Sequence, residues 1–143
     1  MMVWSRHHPH ADLRATLDAL PPDWVVAPLG PAHVVLGPTG AHVVGLDDGV
    51  DETPTFLARV AGSVRSRLAE HVPLMPFVHA LLVTDRPGSS SDATRIPPAL
   101  LSLALIDGPP TLTGDELDRL RACVEAGALV DVDVSARPGR LAL

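Results

Sequence analysis

The chain has 143 residues, of which 46% are hydrophobic and 20% are charged, and its formal net charge is −6. This length and apolar content are typical of one folded domain and argue against a disordered chain. All eleven basic residues are arginine, and lysine, asparagine, glutamine and tyrosine do not occur. The absence of lysine excludes a phosphate-binding P-loop, a Schiff-base lysine, a serine–lysine dyad and any nuclease that needs a catalytic lysine.

The composition also bears on compartment and partners. With a single cysteine, Cys123, no intramolecular disulfide forms, and a reducing cytoplasm is the simplest environment. No window reaches the ~18–20 apolar residues of a membrane span, so we expect no membrane contact. An acidic balance with scattered arginines disfavours a broad nucleic-acid surface, because phosphate binding needs clustered positive charge.

The first third of the chain predicts a helix followed by three strands. Leucines recur at helical spacing within residues 11–20, before two consecutive prolines. Apolar runs predict strands over 24–29, 32–37 and 41–46. The last two strands flank Gly37-Pro38-Thr39-Gly40, a sequence typical of a tight hairpin turn.

A second helix and a buried strand are predicted next. Thr53 and Pro54 form an N-cap and first-turn pair, and apolar residues then follow at helical spacing over 57–68. The nearly continuous apolar run 77–84 predicts a central strand. Residues 85–93 have the polar, small-residue composition of a mobile loop.

The last part of the chain predicts a strand, a helix and a strand. The apolar run Leu101–Ile106 predicts a short strand. Thr113-Gly-Asp-Glu116 matches a capping box and predicts a helix that ends near Gly127. Alternation with aspartates favours an exposed edge strand over the final segment, whose valines are Val130, Val132 and Val134.

Together these elements predict an α/β fold. Its core has the order α-β-β-β-α-β around a mixed central sheet, followed by the C-terminal strand-helix-strand unit. We expect residues 1–10 to be a mobile N-terminus, 11–134 to be the single α/β domain and 135–143 to be a C-terminal tail.

The hairpin region resembles the nuclease-related (NERD) domain family of the restriction-endonuclease-like superfamily. In that family an acidic residue and a histidine open a strand, a Gly-Pro-x-Gly turn follows, and the next strand ends in a carboxylate, any residue, and lysine. His33 stands at the family's histidine, and residues 34–36 match its apolar run. Gly37-Pro38-Thr39-Gly40 matches its turn. The resemblance implies a restriction-endonuclease-like core over roughly residues 11–125.

The catalytic residues of that family do not carry over. Its two carboxylates fall on Ala32 and Gly45, and its lysine falls on Asp47. Metal-assisted phosphodiester hydrolysis needs hard oxygen ligands for Mg²⁺ and a group that activates water. The resemblance therefore implies a degenerate domain that is not an enzyme and needs no cofactor, with Ala32, His33, Gly45 and Asp47 as vestigial site positions.

Two histidines raise the alternative of a rebuilt metal centre. With a two-residue turn, Val35 would lie opposite His42 and Val44 opposite His33, which places both histidines on one face of the sheet. A one-residue shift in register would place them on opposite faces. A metal would need a third ligand, either Asp47 or His79. We expect no metal and interpret these histidines as half-buried packing residues, with His33, His42 and Asp47 as the candidate ligands if that expectation fails.

The leading functional hypothesis is a non-catalytic binding or scaffolding module in the cytoplasm. One alternative is a structural or oligomerising protein that pairs through the edge strand of Val130 to Val134 with a protein partner or a second copy. The other is a metal-binding hydrolase built on the hairpin histidines and the acidic loop that follows them.

Overall fold

The computed structural model describes residues 9–47, 49, 53–86, 88 and 92–134. Its strands are β1 (Val25–Leu29), β2 (Ala32–Gly37), β3 (Gly40–Leu46), β4 (Val78–Val83) and β5 (Thr94–Ile96). Its α-helices are α1 (Pro9–Asp18), α2 (Thr53–Ala69), α3 (Leu101–Ile106) and α4 (Gly114–Glu125), and a 3-10 turn covers Pro98–Leu100.

The five strands form one mixed sheet in the order β1-β2-β3-β4-β5. β1, β2 and β3 are antiparallel neighbours, whereas β3, β4 and β5 run parallel. The crossover from β3 to β4 contains α2, as a parallel connection requires. The carboxyl ends of β3, β4 and β5 consequently meet at one edge of the sheet.

Helices cover both faces of this sheet, so the molecule has three layers. One apolar cluster joins α2 and α4 to the face that carries Val34, Val43 and Leu82. A second joins Leu13 of α1 and Leu101 of α3 to the opposite face. Among the described residues no helix has the length and apolarity needed to cross a membrane.

The α/β class and the order of the first six elements agree with the sequence prediction. The helix, the three strands, the second helix and the buried strand follow in the predicted order, each within a few residues of its predicted bounds. Helix α1 begins at Pro9, so the last two residues of the predicted mobile N-terminus are helical. Residues 1–8 and the predicted tail 135–143 lie outside the described residues, as does part of the predicted loop 85–93.

The predicted strand over Leu101–Ile106 is wrong, because this segment is helix α3. Leu101 and Leu105 are fully buried, whereas Leu103 is 62% exposed, which is the pattern of one helical face. A short apolar run does not distinguish a strand from a helix. Here the 3-10 turn that follows Pro97 leads directly into the α-helix.

The predicted edge strand over residues 130–134 is also wrong. This segment follows a series of turns and joins no strand among the described residues. Leu129 and Val132 are buried, while Val130 is 87% exposed, so the valines do not alternate across a sheet. Asp131 forms an ion pair with Arg67 of α2, with 2.9 Å between Oδ2 and Nη2. The C-terminal unit is therefore two helices and a packed turn segment, and the edge-strand alternative loses its basis.

Candidate functional site

The β2–β3 hairpin brings the two predicted histidines to the same face of the sheet. His33 pairs with Val44, and Val35 pairs with His42, which confirms the predicted register. This face carries Val35 and Val44 in the cluster with α1 and α3. The two histidines are diagonal neighbours, which places the residues ~7–8 Å apart and their Cβ atoms somewhat closer.

Ala32 and Gly45 lie together on the opposite face, beneath α2. Extending the hairpin register by one pair places them directly opposite each other. Ala32 is fully buried, and a Cβ added at Gly45 would lie 2.7 Å from Cδ2 of Leu57. Real Cβ atoms do not approach other carbons this closely, so Leu57 fills the space that a side chain at position 45 would need.

Asp47 follows the last residue of β3 and is held by three residues. Its Oδ2 accepts hydrogen bonds from the Thr84 hydroxyl at 2.7 Å and from Arg86 Nε at 2.8 Å. Its Oδ1 accepts from Arg86 Nη2 at 3.2 Å and from the backbone N–H of Gly49 at 2.9 Å. The Asp47 side chain is 8% exposed, so this carboxylate ties the end of β3 to the end of β4.

The same contacts set the charge of Asp47. Burial acts to raise its pKa, but the hydrogen bonds from Gly49, Thr84 and Arg86 outweigh burial and hold the pKa below its ordinary value. The carboxylate is thus ionised at neutral pH and has a partner for each oxygen. Chemically it serves as a bonded structural anion rather than an open metal ligand.

His42 and His79 form a stacked pair at the opposite end of the same strands. They are paired across β3 and β4, with ring centroids 5.6 Å apart and an interplanar angle of 28°. Phe77 packs edge-on against His79, with 5.1 Å between the two ring centroids. Neither ring nitrogen of the buried His42 has a hydrogen-bond partner among the described residues. Burial, with a smaller contribution from His79, lowers the pKa of His42 to about 4.

The candidate metal ligands do not converge. His42 and Asp47 are five residues apart in and just beyond one strand, a separation of about 16 Å. Among the described residues, no group of three or more histidine, cysteine, aspartate or glutamate side chains is placed to hold a metal ion. His33 is half-buried beside α1, and burial, followed by Arg14, lowers its pKa. The neighbouring acidic residues Asp48, Asp51 and Glu52 lie outside the described residues.

The partners of Asp47 were missed by the sequence analysis. Thr84 and Arg86 follow β4, and Arg95 lies on β5 with its Nη1 4.0 Å from Asp47 Oδ2. These residues stand 37 to 48 positions beyond Asp47. No local motif links these residues to Asp47. Only the parallel pairing of β3, β4 and β5 brings them together, and the sequence does not reveal that pairing.

Comparisons with models of known protein families, with curated proteins and with solved structures found no match to this chain.

Proposed function

We propose that this chain is a non-catalytic α/β domain of nuclease-like ancestry, a degenerate relative of the nuclease-related family, which acts in the cytoplasm as a binding or scaffolding module. The observation that carries the proposal is the packing of Leu57 against Gly45, because a carboxylate side chain at that position would require Leu57 to move. Ala32 beside it is fully buried and offers no ligand.

The order of elements supports the ancestry. Helix α1, strands β1 to β3, helix α2 and strand β4 follow the α-β-β-β-α-β order that the resemblance implies. The hairpin with the Gly-Pro-x-Gly turn lies in the middle of this sheet, as β2 and β3. Both features are properties of the backbone, so they persist when the catalytic side chains are lost.

The electrostatics of Asp47 support the loss of catalysis. Where the resemblance implies a lysine, this chain has an ionised carboxylate with a partner for each oxygen. A carboxylate has no donor with which to orient a phosphodiester as a lysine does, and the oxygens of Asp47 are committed to Thr84, Arg86 and Gly49.

A cleavage assay tests the proposal. The purified chain is incubated with single- and double-stranded DNA and with RNA, in the presence of Mg²⁺ or Mn²⁺. We expect no cleavage above that of the Asp47→Ala and His33→Ala variants prepared in the same way. Reproducible cleavage by the natural chain that either substitution abolishes would contradict the proposal, whereas equal residual cleavage in all three indicates a contaminant.

A further inference from the structure

The carboxyl ends of β3, β4 and β5 form an edge at which polar residues gather. Asp47 and Thr84 follow β3 and β4 directly, and Arg95 is the central residue of β5. In open α/β sheets, ligands bind outside the carboxyl ends of the parallel strands. A ligand of this sheet is therefore expected at this edge.

Arg95 has hydrogen-bonding capacity that the described residues do not use. Its side chain is 23% exposed, and its Nε and Nη1 atoms are buried without an acceptor among the described residues. A guanidinium stays charged at any physiological pH, so it does not escape this cost by losing a proton. Buried donors without acceptors destabilise a protein, and a charged donor does so most.

Asp47 is the nearest described anion to Arg95, but it does not accept a hydrogen bond from the Arg95 side chain. Its Oδ2 lies 4.0 Å from Arg95 Nη1, beyond hydrogen-bond distance. That oxygen already accepts from Thr84 and Arg86. Arg86 takes the carboxylate in a two-bond arrangement, so Asp47 is neutralised by one arginine and Arg95 contributes the remaining positive charge.

Two contacts define the surroundings of the segment that carries Arg95. A Cβ added at Gly88 would lie 3.3 Å from Cζ and Nε of Arg95, so glycine allows the backbone to approach the guanidinium. Asp92, three residues before Arg95, accepts a 2.8 Å hydrogen bond from Thr55 in the first turn of α2. The start of α2, whose backbone N–H groups favour negative charge, is thus tied to the segment that carries Arg95.

We propose that Arg95 is the anchor of an oxyanion-binding site at this edge, and that the site takes a phosphate group. A phosphate supplies several acceptor oxygens and a negative charge, which the Nε–H and Nη1–H groups lack. Phosphate is the ligand class that we assign to the proposed binding module. This assignment rests on the proposed function only in taking the domain to be one that binds a ligand. Phosphate binding is measured without cleavage, so either proposal can fail while the other stands.

The test is a titration with inorganic phosphate at constant ionic strength, followed through the side-chain Nε–H resonance of Arg95 in ¹H–¹⁵N spectra. We expect saturable binding and a shift of that resonance. Sulfate and acetate form parallel arms, since equal binding of acetate would assign the site to carboxylates and overturn the choice of phosphate. Chloride at the same ionic strength should produce no saturable shift.

Variants locate the site. Arg95→Gln should weaken phosphate binding at least about tenfold, whereas Arg119→Gln, the same charge change on an exposed residue of α4, should leave it unchanged. Arg95→Lys keeps the charge and covers the case in which the glutamine variant does not fold, and it should retain measurable binding.

Results of the phosphate titration would also overturn the proposal. One is the absence of saturable phosphate binding by the natural chain, and another is equal binding by the natural chain and Arg95→Gln. If the Asp51→Asn/Glu52→Gln double variant binds phosphate and the natural chain does not, the chain's own acidic residues are the acceptors of Arg95. That outcome also overturns the proposal.

Discussion

The two ends of the β3–β4 strand pair bury polar side chains in opposite ways. At the carboxyl end, the Asp47 side chain is 8% exposed, and both of its oxygens are bonded. At the amino end, His42 is also buried, yet neither of its ring nitrogens has a hydrogen-bond partner among the described residues. A buried polar side chain therefore has a partner for each of its oxygens at one end, and at the other end its nitrogens have none among the described residues.

The difference follows from how each group responds to burial: one keeps its charge and the other loses it. A buried carboxylate keeps its charge only where donors surround it, and Thr84, Arg86 and Gly49 provide them. An imidazole instead sheds its proton and packs as a neutral ring, here stacked on His79. The carboxyl end is thus stabilised by bonds to a charge, and the amino end by burial of an uncharged ring.

The largest expected effect is the acid sensitivity of the amino end. The pKa of His42 is about 4 in the folded chain, against an ordinary value of 6.5. Below pH 6.5 the unfolded chain therefore binds a proton that the folded chain does not. Stability should fall as the pH drops from about 6.5 to about 4, by up to ~3 kcal/mol from this residue. Urea unfolding across this range, compared with His42→Leu, measures the contribution.

The exposed His71 provides the matched control for this experiment. His71→Leu should keep the pH dependence of the natural chain, while His42→Leu should reduce it between pH 6.5 and about 4 and leave the contribution of His33, whose pKa burial also lowers. If both variants follow the natural chain, His42 is not a neutral buried ring in the folded state, and the contrast between the two ends fails.

The next effect is the loss of the carboxylate at the other end. Asp47→Ala removes the acceptor for Thr84 and Arg86 and should lower the free energy of unfolding by about 2 kcal/mol, because hydrogen bonds to charged groups are stronger than neutral ones. The exposure of Arg86, 57%, keeps the effect below that of a fully buried ion pair. Denaturant unfolding at pH 7 measures it.

Asp18→Ala is the comparison for Asp47→Ala. Asp18 and its partner Arg14 are both 59% exposed, so their ion pair at 3.4 Å should contribute less than ~0.5 kcal/mol. Equal effects of the two substitutions would show that Asp47 is no more than a surface charge. The contribution of Asp47 should also disappear at a lower pH than that of His42, since its pKa lies below the ordinary carboxyl value.

The sequence predicts the hairpin and its register because both depend on local rules. Side chains alternate across a strand, and the length of the turn determines which residues face each other, so Val35 opposite His42 follows from the Pro38-Thr39 turn. The capping box of Thr113 and Glu116 is confirmed for the same reason, because both of its hydrogen bonds lie within four residues.

Features set by distant contacts were not predictable. Strand β5 has three residues and exists through its pairing with β4, which no short pattern reveals. The partners of Asp47 come from other strands, and the space at Gly45 is filled by a leucine from α2. Sequence spacing identified the positions of the candidate site, while tertiary packing determined what surrounds them.

The central claim, that Leu57 fills the space a side chain at position 45 would need, is tested most directly by a double-mutant cycle. In the natural chain, Gly45→Ala should destabilise by about 1–2 kcal/mol through overpacking. In the Leu57→Ala background it should be neutral or stabilising, a coupling of at least ~1 kcal/mol. Gly62→Ala, on an open face of α2, should show no coupling to Leu57. The same cost for Gly45→Ala in both backgrounds would contradict the account.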